Sequence, residues 1–259
     1  MKKAVLKLLF LGGFGYILIC AVLYFNQENL LYFPQERKIN SEEHTLLIPT
    51  EVGHTVVTFE KRNSDKALIY FGGNAEDVSQ RLVKFKQTFP EHSLYLMHYR
   101  GYGSDGYPRE EPIYQDALVL YEHVAKGNTE MVLMGRSLGT GIATRLAAEK
   151  FPKQLILITP YSSIEDVASE RYWGLPVSLL LKDKYLSWHY APAVKSKTAI
   201  LLAGEDAVIP EESTMKLFSS FSDDVATIYE FDHAGHNNIS SDPEYYPLLN
   251  TLTRRLGPH

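Results

Sequence analysis

Short apolar runs recur along most of the chain and predict eight β-strands. The runs are rich in β-branched and aromatic residues and are bounded by turn-forming residues, which is typical of strands. The last six are almost continuously apolar, and this pattern indicates a sheet that is covered on both faces. The predicted strands are residues 44–49, 55–60, 67–71, 93–99, 131–134, 155–159, 198–203 and 226–231.

Between these runs, apolar residues recur at the spacing of amphipathic helices. Strands that alternate with helices predict an α/β fold, with a mostly parallel sheet and helices on both faces. Ligands of such sheets bind beyond the carboxyl ends of the strands. The helical stripes are Val78, Leu82, Phe85 and Phe89; Ala117, Leu118, Tyr121 and Val124; Leu138, Ile142, Leu146 and Ala147; Met215, Leu217, Phe218 and Phe221; and residues 245–256.

The connection between the sixth and seventh predicted strands is unusually long, since such connections commonly have about two to six residues. It is aromatic and apolar, with Tyr161, Trp173 and Trp188 among its residues. Long inserted segments often cover a site, so residues 161–196 are predicted to form a small cap. A covering helix with nothing to gate is an equally good interpretation of this composition.

An uncharged stretch near the N-terminus, residues 8–25, predicts a membrane anchor. As a helix it would be about 27 Å long, close to the hydrocarbon thickness of a bilayer. The predicted organisation is therefore an anchor over residues 1–25, a linker over 26–41 and one α/β domain over 42–259. A cleaved signal peptide and a buried core helix are the alternatives, but no A-x-A-like cleavage site is found.

Charge near the anchor predicts its orientation. Lys2, Lys3 and Lys7 precede the apolar stretch, so the positive-inside rule places the body on the non-cytoplasmic side. The formal net charge is −5, and no basic stripe with interleaved aromatic residues is present, so nucleic acid is not an expected partner. The single cysteine, Cys20, excludes an intrachain disulfide and a cysteine-based metal site.

The motif Gly135-Arg-Ser-Leu-Gly139 is the strongest candidate for chemistry. It follows a predicted buried strand and precedes a predicted helix, which is the setting of a nucleophile elbow. Gly135 and Gly139 matter because a strained turn around Ser137 leaves no room for side chains at these positions. The helix N-terminus directs main-chain amides towards a developing oxyanion. The alternative is a serine that only begins a helix.

Two later loops supply the acid and base that a serine nucleophile requires. The segment after the seventh predicted strand contains Asp206, which is the best candidate acid, whereas Glu205 and Asp183 are less well placed. The segment after the eighth contains His233 and His236, of which His236 is preferred as the base. A metal site on these histidines is the alternative, but further ligands are not evident, and no metal or organic cofactor is predicted.

A second glycine-rich turn, Gly72-Gly-Asn74, follows the third predicted strand and is expected to complete an oxyanion hole. The predicted donors are the main-chain amides of Asn74 and Leu138. Gly73, which lets a substrate approach the main chain, and Tyr161 are the predicted substrate contacts. Residues 101–106 also match G-x-G-x-x-G, but the prolines of residues 107–112 suppress the helix that a dinucleotide site needs, so this match is rejected.

Six segments occur in a fixed order along the chain, at residues 70–75, 99–103, 135–139, 159–163, 206–210 and 235–236. Together they resemble the α/β-hydrolase superfamily, and specifically its small serine hydrolases with an N-terminal membrane anchor, a group that includes protein depalmitoylases and related bacterial hydrolases. The resemblance implies an α/β-hydrolase fold and a triad of Ser137, Asp206 and His236. The chain departs from the group where Gly72 replaces a usual His and where His98 replaces a frequent Asp.

The predicted function is hydrolysis of a carboxylic ester, with an acyl or lipid-like substrate, through an acyl-enzyme intermediate. The anchor and the apolar insert favour amphiphilic substrates, because a tethered site meets them at the membrane. A thioesterase and a serine peptidase are alternatives with the same machinery. A membrane-tethered binding protein without catalysis is the alternative of a different class, since fold alone does not decide function.

Overall fold

All eight predicted strands form a single sheet in the computed structural model, which describes residues 2–39 and 41–254. Its strand order is β1-β2-β4-β3-β5-β6-β7-β8. The strands are β1 (Thr45–Thr50), β2 (Gly53–Glu60), β3 (Lys66–Phe71), β4 (Ser93–Met97), β5 (Glu130–Arg136), β6 (Gln154–Ile158), β7 (Lys197–Ala203) and β8 (Ala226–Phe231).

The sheet is parallel except at one edge. β2 pairs antiparallel with both β1 and β4, whereas β4, β3, β5, β6, β7 and β8 run parallel in that order. The carboxyl ends of β3, β5, β7 and β8 therefore lie along the same edge of the sheet. This arrangement brings together the four loops in which the sequence placed candidate chemistry.

Strands β3 to β7 are buried along nearly their whole length, as their continuous apolar runs predicted. Strand β8 differs, because most of its residues are only partly buried or exposed. It is the last strand of the sheet and has a neighbour on one side only. The prediction of cover on both faces therefore holds for the centre of the sheet and is wrong for this edge.

Helices cover both faces and bury two separate apolar clusters. Leu120, Leu146 and Leu217 pack on one face with Ile69 of β3, while Phe85 packs on the other. Alternate residues of β3 therefore pack into the clusters on opposite faces of the sheet, as the pleat of a strand requires. The helices are α1 (Lys2–Leu31), α2 (Leu82–Thr88), α3 (Glu110–Ala125), α4 (Leu138–Lys150), α5 (Ile164–Arg171), α6 (Val177–Leu180), α7 (Ser187–Tyr190), α8 (Glu211–Phe218) and α9 (Tyr245–Arg254).

The start of α3 corrects one detail of the sequence interpretation. The prolines of residues 107–112 were expected to suppress helix, but α3 begins at Glu110 and includes Pro112. A proline in the first turn removes only an amide that has no helical partner, so it is tolerated there. Residues 101–106 still precede a non-helical stretch, and Gly101, Gly103 and Gly106 all have positive φ.

Helix α1 is long and apolar enough to cross a membrane by length and composition. Its most apolar 18-residue window has a mean hydropathy of 2.3, and none of that window is buried against the rest of the chain. The helix continues to Leu31, beyond the point at which the sequence interpretation begins a linker. The insert between β6 and β7 carries three short helices, α5, α6 and α7.

Candidate active site

Ser137 lies at a sharp turn between β5 and α4. Its φ of 47° and ψ of −118° lie outside the regions that non-glycine residues favour, and such strain persists only where surrounding contacts enforce it. The main-chain amide of Ser137 donates to the carbonyl of Ile158 on the neighbouring strand, at 2.9 Å. The serine is thus held above the carboxyl edge of the sheet.

The two glycines of the motif are sterically required. A Cβ on Gly135 would lie 2.5 Å from the carbonyl oxygen of Gly139, and a Cβ on Gly139 would overlap the carbonyl oxygen of Phe71. Helix α4 can therefore pack closely against the ends of β3 and β5 only because both positions lack a side chain. This packing satisfies the steric requirement that the sequence interpretation inferred for the elbow.

His236 reaches both of the other predicted triad members. Its Nε2 lies 2.9 Å from Ser137 Oγ, and its Nδ1 lies 2.7 Å from Asp206 Oδ2. Because a carboxylate accepts hydrogen bonds, this geometry is that of an imidazole with its proton on Nδ1 and an acceptor lone pair towards the serine hydroxyl. The side chains of His236 and Asp206 are only 8% and 6% exposed, so bulk water is largely kept from this pair.

The carboxylate of Asp206 is fixed by its own loop. Its Oδ1 accepts hydrogen bonds from the main-chain amides of Val208 and Ile209, both at 2.8 Å, which leaves Oδ2 for the imidazole. The other candidates lie elsewhere. Glu205 and His233 are exposed, and Asp183 accepts a hydrogen bond from Tyr32.

The two predicted oxyanion donors have free main-chain amides. Leu138 is the first residue of α4, so no earlier carbonyl of that helix is available to its amide. Among residues 2–39 and 41–254, neither this amide nor that of Asn74 has a hydrogen-bond acceptor. The adjacent amide of Gly73 is instead occupied by Glu76 Oε2 at 2.8 Å.

The loop that carries Asn74 lies beside the serine. A Cβ on Gly73 would be 3.7 Å from the Cβ of Ser137, so the absence of a side chain there keeps the approach to the serine open. Tyr161 lies elsewhere. It is fully buried, and its hydroxyl donates to the carbonyl of Leu138 at 2.9 Å. This position supports the first turn of α4 and argues against the substrate contact expected for Tyr161.

A buried charge network, which the sequence interpretation missed, connects the loops. Glu76 accepts hydrogen bonds from Arg81 Nε at 2.6 Å and from Arg136 Nη1 at 3.1 Å, in addition to Gly73. Arg136 Nη2 also donates to the carbonyl oxygen of His236 at 3.2 Å. Burial raises the pKa of Glu76, but the two guanidinium groups outweigh this effect and hold that pKa below its ordinary value. The ionised carboxylate thus joins the glycine turn, the elbow and the histidine loop.

Asn74 also connects the site to the end of α1. Its Oδ1 accepts hydrogen bonds from the hydroxyl of Tyr102 at 2.7 Å and from the amide of Phe33 at 3.1 Å. Its Nδ2 donates to the carbonyl of Leu31. The side chain therefore holds the glycine turn against the segment that leaves α1, while the main-chain amide of Asn74 stays free.

These features are those of the α/β-hydrolase fold. They are an eight-stranded, mostly parallel sheet, a serine at a strained strand-to-helix turn, and acid and histidine loops after the last two strands. No family model matches the chain.

The chain is similar in sequence to known proteins along most of its length. It is 24% identical to protein bem46 of Schizosaccharomyces pombe over 96% of its own length and 94% of the relative. It is 27% identical to the lysophosphatidylserine lipase ABHD12 of Danio rerio, over 87% of the chain and 73% of the relative. Among solved structures, acetyl xylan esterase 1 from Thermoanaerobacterium sp. JW/SL YS485 has the same fold, with a TM-score of 0.69 and 15% identity over 91% of this chain and 93% of the esterase.

Proposed function

We propose that this chain is a membrane-anchored serine hydrolase that cleaves carboxylic esters with acyl or lipid-like character. The observation that carries the proposal is the continuous chain of contacts from Ser137 Oγ to His236 and from His236 to Asp206. Three side chains from three separate loops meet with hydrogen-bond geometry beside two free amides. This is the minimum set that acyl transfer through a serine requires.

In this mechanism Ser137 Oγ attacks the carbonyl carbon of the ester while His236 Nε2 takes its proton. Asp206 keeps the imidazole in the required tautomer and stabilises its charged form. The amides of Asn74 and Leu138 donate to the oxyanion of the tetrahedral intermediate. His236 then delivers its proton to the departing alcohol, and a water molecule hydrolyses the acyl-enzyme by the same steps. The residues of the site supply every proton transfer.

The ester class is supported by one relative, by one solved structure of the same fold and by α1. ABHD12 is named as a lysophosphatidylserine lipase, and the similar solved structure is named as an acetyl xylan esterase. A helix of sufficient length and hydropathy to cross a membrane would hold the site near amphiphilic substrates. Lys2, Lys3 and Lys7 at the start of that helix favour a body on the non-cytoplasmic side.

The proposal is tested by ester hydrolysis with the full chain in lipid nanodiscs. Wild type is expected to hydrolyse nitrophenyl esters, and Ser137→Ala is expected to lose the activity by a factor on the order of 10³ or more. Ser178→Ala, on an exposed serine of the cap, is the matched control and should retain wild-type rates. Equal activity of Ser137→Ala and wild type would refute the assignment of the nucleophile.

The same preparation separates the alternatives. Parallel assays with an acyl thioester and with a peptide of matched acyl group establish the preferred bond. A chain that hydrolyses none of the three substrates would support the binding-protein alternative. Membrane attachment is tested by alkaline carbonate extraction, in which the protein should stay in the pellet, and the side of the body is tested by a reporter fused at the C-terminus.

A further inference from the structure

An apolar groove of about 300 Å³ lies between the C-terminal end of α1 and the cap. This volume is within the range of small-molecule sites. Leu23 and Leu31 contribute from α1, while Ile164, Ala168 and Leu181 contribute from the cap. Apart from Gln27 and Tyr172, the lining residues are aliphatic, and none is charged. Such walls favour hydrocarbon and exclude a charged headgroup, which would lose its hydration there without gaining a partner.

Specific polar contacts join the two walls of the groove. Gln27 Nε2 donates to the carbonyl of Leu180 at 3.0 Å, and Gln27 Oε1 accepts from the amide of Lys182 at 2.7 Å. Both ends of this amide side chain are thus used to hold α1 against the cap main chain. The one amide side chain of the groove is therefore already paired, and the aliphatic surface is what remains for an occupant.

A hydrogen bond links one lining residue of the groove to a residue that supplies a proposed oxyanion donor. Leu31 lines the groove, and its carbonyl accepts a hydrogen bond from the side chain of Asn74. Asn74 supplies one of the two free amides beside Ser137. The groove is therefore linked to the glycine turn beside Ser137 through Leu31 and Asn74.

The cap also contacts α1 within the apolar stretch of that helix. The hydroxyl of Tyr16 donates to the carbonyl of Gly174 at 3.0 Å. Between Tyr16 and Gln27 the helix rises about 16 Å, so its hydrogen bonds to Gly174 and Leu180 of the cap are that far apart along α1. The neighbouring Trp173 is 89% exposed and Leu179 is 81% exposed. With residues 8–25 spanning a bilayer, Tyr16 lies near the middle of the span, so these two exposed side chains lie at the depth of the hydrocarbon.

We propose that this groove holds the acyl chain of the ester substrate and that α1 is one wall of the substrate site as well as an anchor. The acyl chain enters from the bilayer along α1 and the cap, and the ester group then reaches Ser137. The proposal rests on the hydrolase function proposed above and assigns the acyl-binding part of its site. It predicts that filling the groove impairs hydrolysis of long acyl chains selectively.

The test uses Ala168→Trp in the full chain, reconstituted in nanodiscs so that no detergent competes for the groove. Each methylene excluded from an apolar site costs about fourfold in affinity. We therefore expect kcat/KM for a dodecanoyl nitrophenyl ester to fall by about tenfold or more, while the value for the butanoyl ester stays within about twofold. Glu170→Trp is the matched control, because this exposed residue is on the same helix and does not line the groove. Ala168→Leu should produce a smaller loss of the same kind.

Equal losses for short and long esters in Ala168→Trp, with thermal stability unchanged, would overturn the groove as the acyl site. So would a loss of the same size in Glu170→Trp. A second readout does not depend on turnover. In Ser137→Ala, a photoactivatable diazirine stearic acid should crosslink to peptides from residues 23–31 and 164–181, and crosslinks confined to other segments would contradict the proposal. If wild type hydrolyses no ester while the crosslinks map to the groove, the hydrolase function fails and the hydrocarbon site stands.

Discussion

Nε2 of His236 lies 2.9 Å from Oγ of Ser137, although 99 positions separate the two residues in the sequence. The contact forms because β5 and β8 end at the same edge of a parallel sheet, and each places its loop above that edge. Hydrogen bonds to the main chain of both residues hold them in place. The Ser137 amide is bonded to Ile158, and Arg136 donates to the carbonyl of His236. The pair is thus fixed by main-chain contacts rather than by the side chains alone.

Replacing Asp206 by asparagine should abolish most of the activity without unfolding the chain. The amide oxygen of the new side chain can still accept from Val208 and Ile209, so the NH₂ group faces His236 Nδ1 and imposes the wrong tautomer. We expect kcat to fall on the order of 10⁴-fold. Asp223→Asn, on an exposed acidic residue, is the control and should be silent. Full activity in Asp206→Asn would remove Asp206 from the triad.

Alanine at Gly139 should prevent the elbow from forming. Its Cβ would overlap the carbonyl oxygen of Phe71, a main-chain atom that can move only if β3 moves. We expect the free energy of unfolding to fall by about 3 kcal/mol. At Gly127, by contrast, a Cβ would meet only Lys61 Nζ at 3.8 Å, so Gly127→Ala is the matched control. Thermal melting of both variants measures the difference, and equal melting temperatures would show that the close approach is not required.

Neutralising Glu76 should weaken both stability and turnover. In Glu76→Gln the guanidinium groups of Arg81 and Arg136 lose their shared counter-charge, which costs about 3–5 kcal/mol for a buried pair. Because Arg136 holds the histidine loop, we also expect kcat to fall while the variant is still folded. Glu91→Gln breaks a surface pair with Lys66 and should change neither quantity appreciably. A Glu76→Gln variant with wild-type melting temperature and kcat would show that the network is dispensable.

The buried His98 should make stability depend on pH. Burial lowers the pKa of this imidazole to about 4, whereas its ordinary value is 6.5. Between these values the unfolded chain binds more protons than the folded chain, so the free energy of unfolding falls as the pH drops from about 6.5 towards about 4 and is unaffected by this group at higher pH. Burial lowers the pKa of His92 to about 4 as well, with the same sign.

This pH dependence is measured as the difference in melting temperature between pH 7.5 and pH 5. The difference should be smaller in His98→Gln than in wild type, because one of the two imidazoles whose pKa is lowered by burial is removed. His54→Gln is the control, since His54 is half-exposed and pairs with Asp105 at the surface. The same difference in wild type and His98→Gln would contradict the assignment to His98.

The sheet and the triad loops could be predicted from the sequence for a physical reason. Buried parallel strands have continuous apolar runs, and their carboxyl ends must converge, so residues just after such runs are neighbours regardless of sequence distance. The choice of His236 over His233 followed from position alone, and the structure brings His236 to Ser137. The two glycines of the elbow were informative by themselves, because a glycine on each side of one serine indicates that the helix packs closely against the strand ends.

The charge network, the packing of Tyr161 and the contact between α1 and the cap correspond to no periodic pattern in the sequence. Glu76 and Arg136 are charged residues in loops and at a strand end, and only the fold brings them together at 3.1 Å. A charged residue directly after Gly-Gly-Asn-Ala and an arginine inside the elbow motif were the available hints. Tyr161 was expected to contact the substrate but is fully buried, because an aromatic residue after a strand can pack inward as readily as outward. The contact between α1 and the cap was missed because the helix was treated as a separate unit.

The most direct test of the central claim is to locate the covalent adduct of a fluorophosphonate probe on the full chain by peptide mass mapping. We predict a single adduct on Ser137, no adduct in Ser137→Ala, and labelling slowed by on the order of 10³-fold in His236→Ala but unchanged in His233→Ala. An adduct on another serine, or labelling that survives Ser137→Ala, would contradict the assignment of Ser137 as the nucleophile.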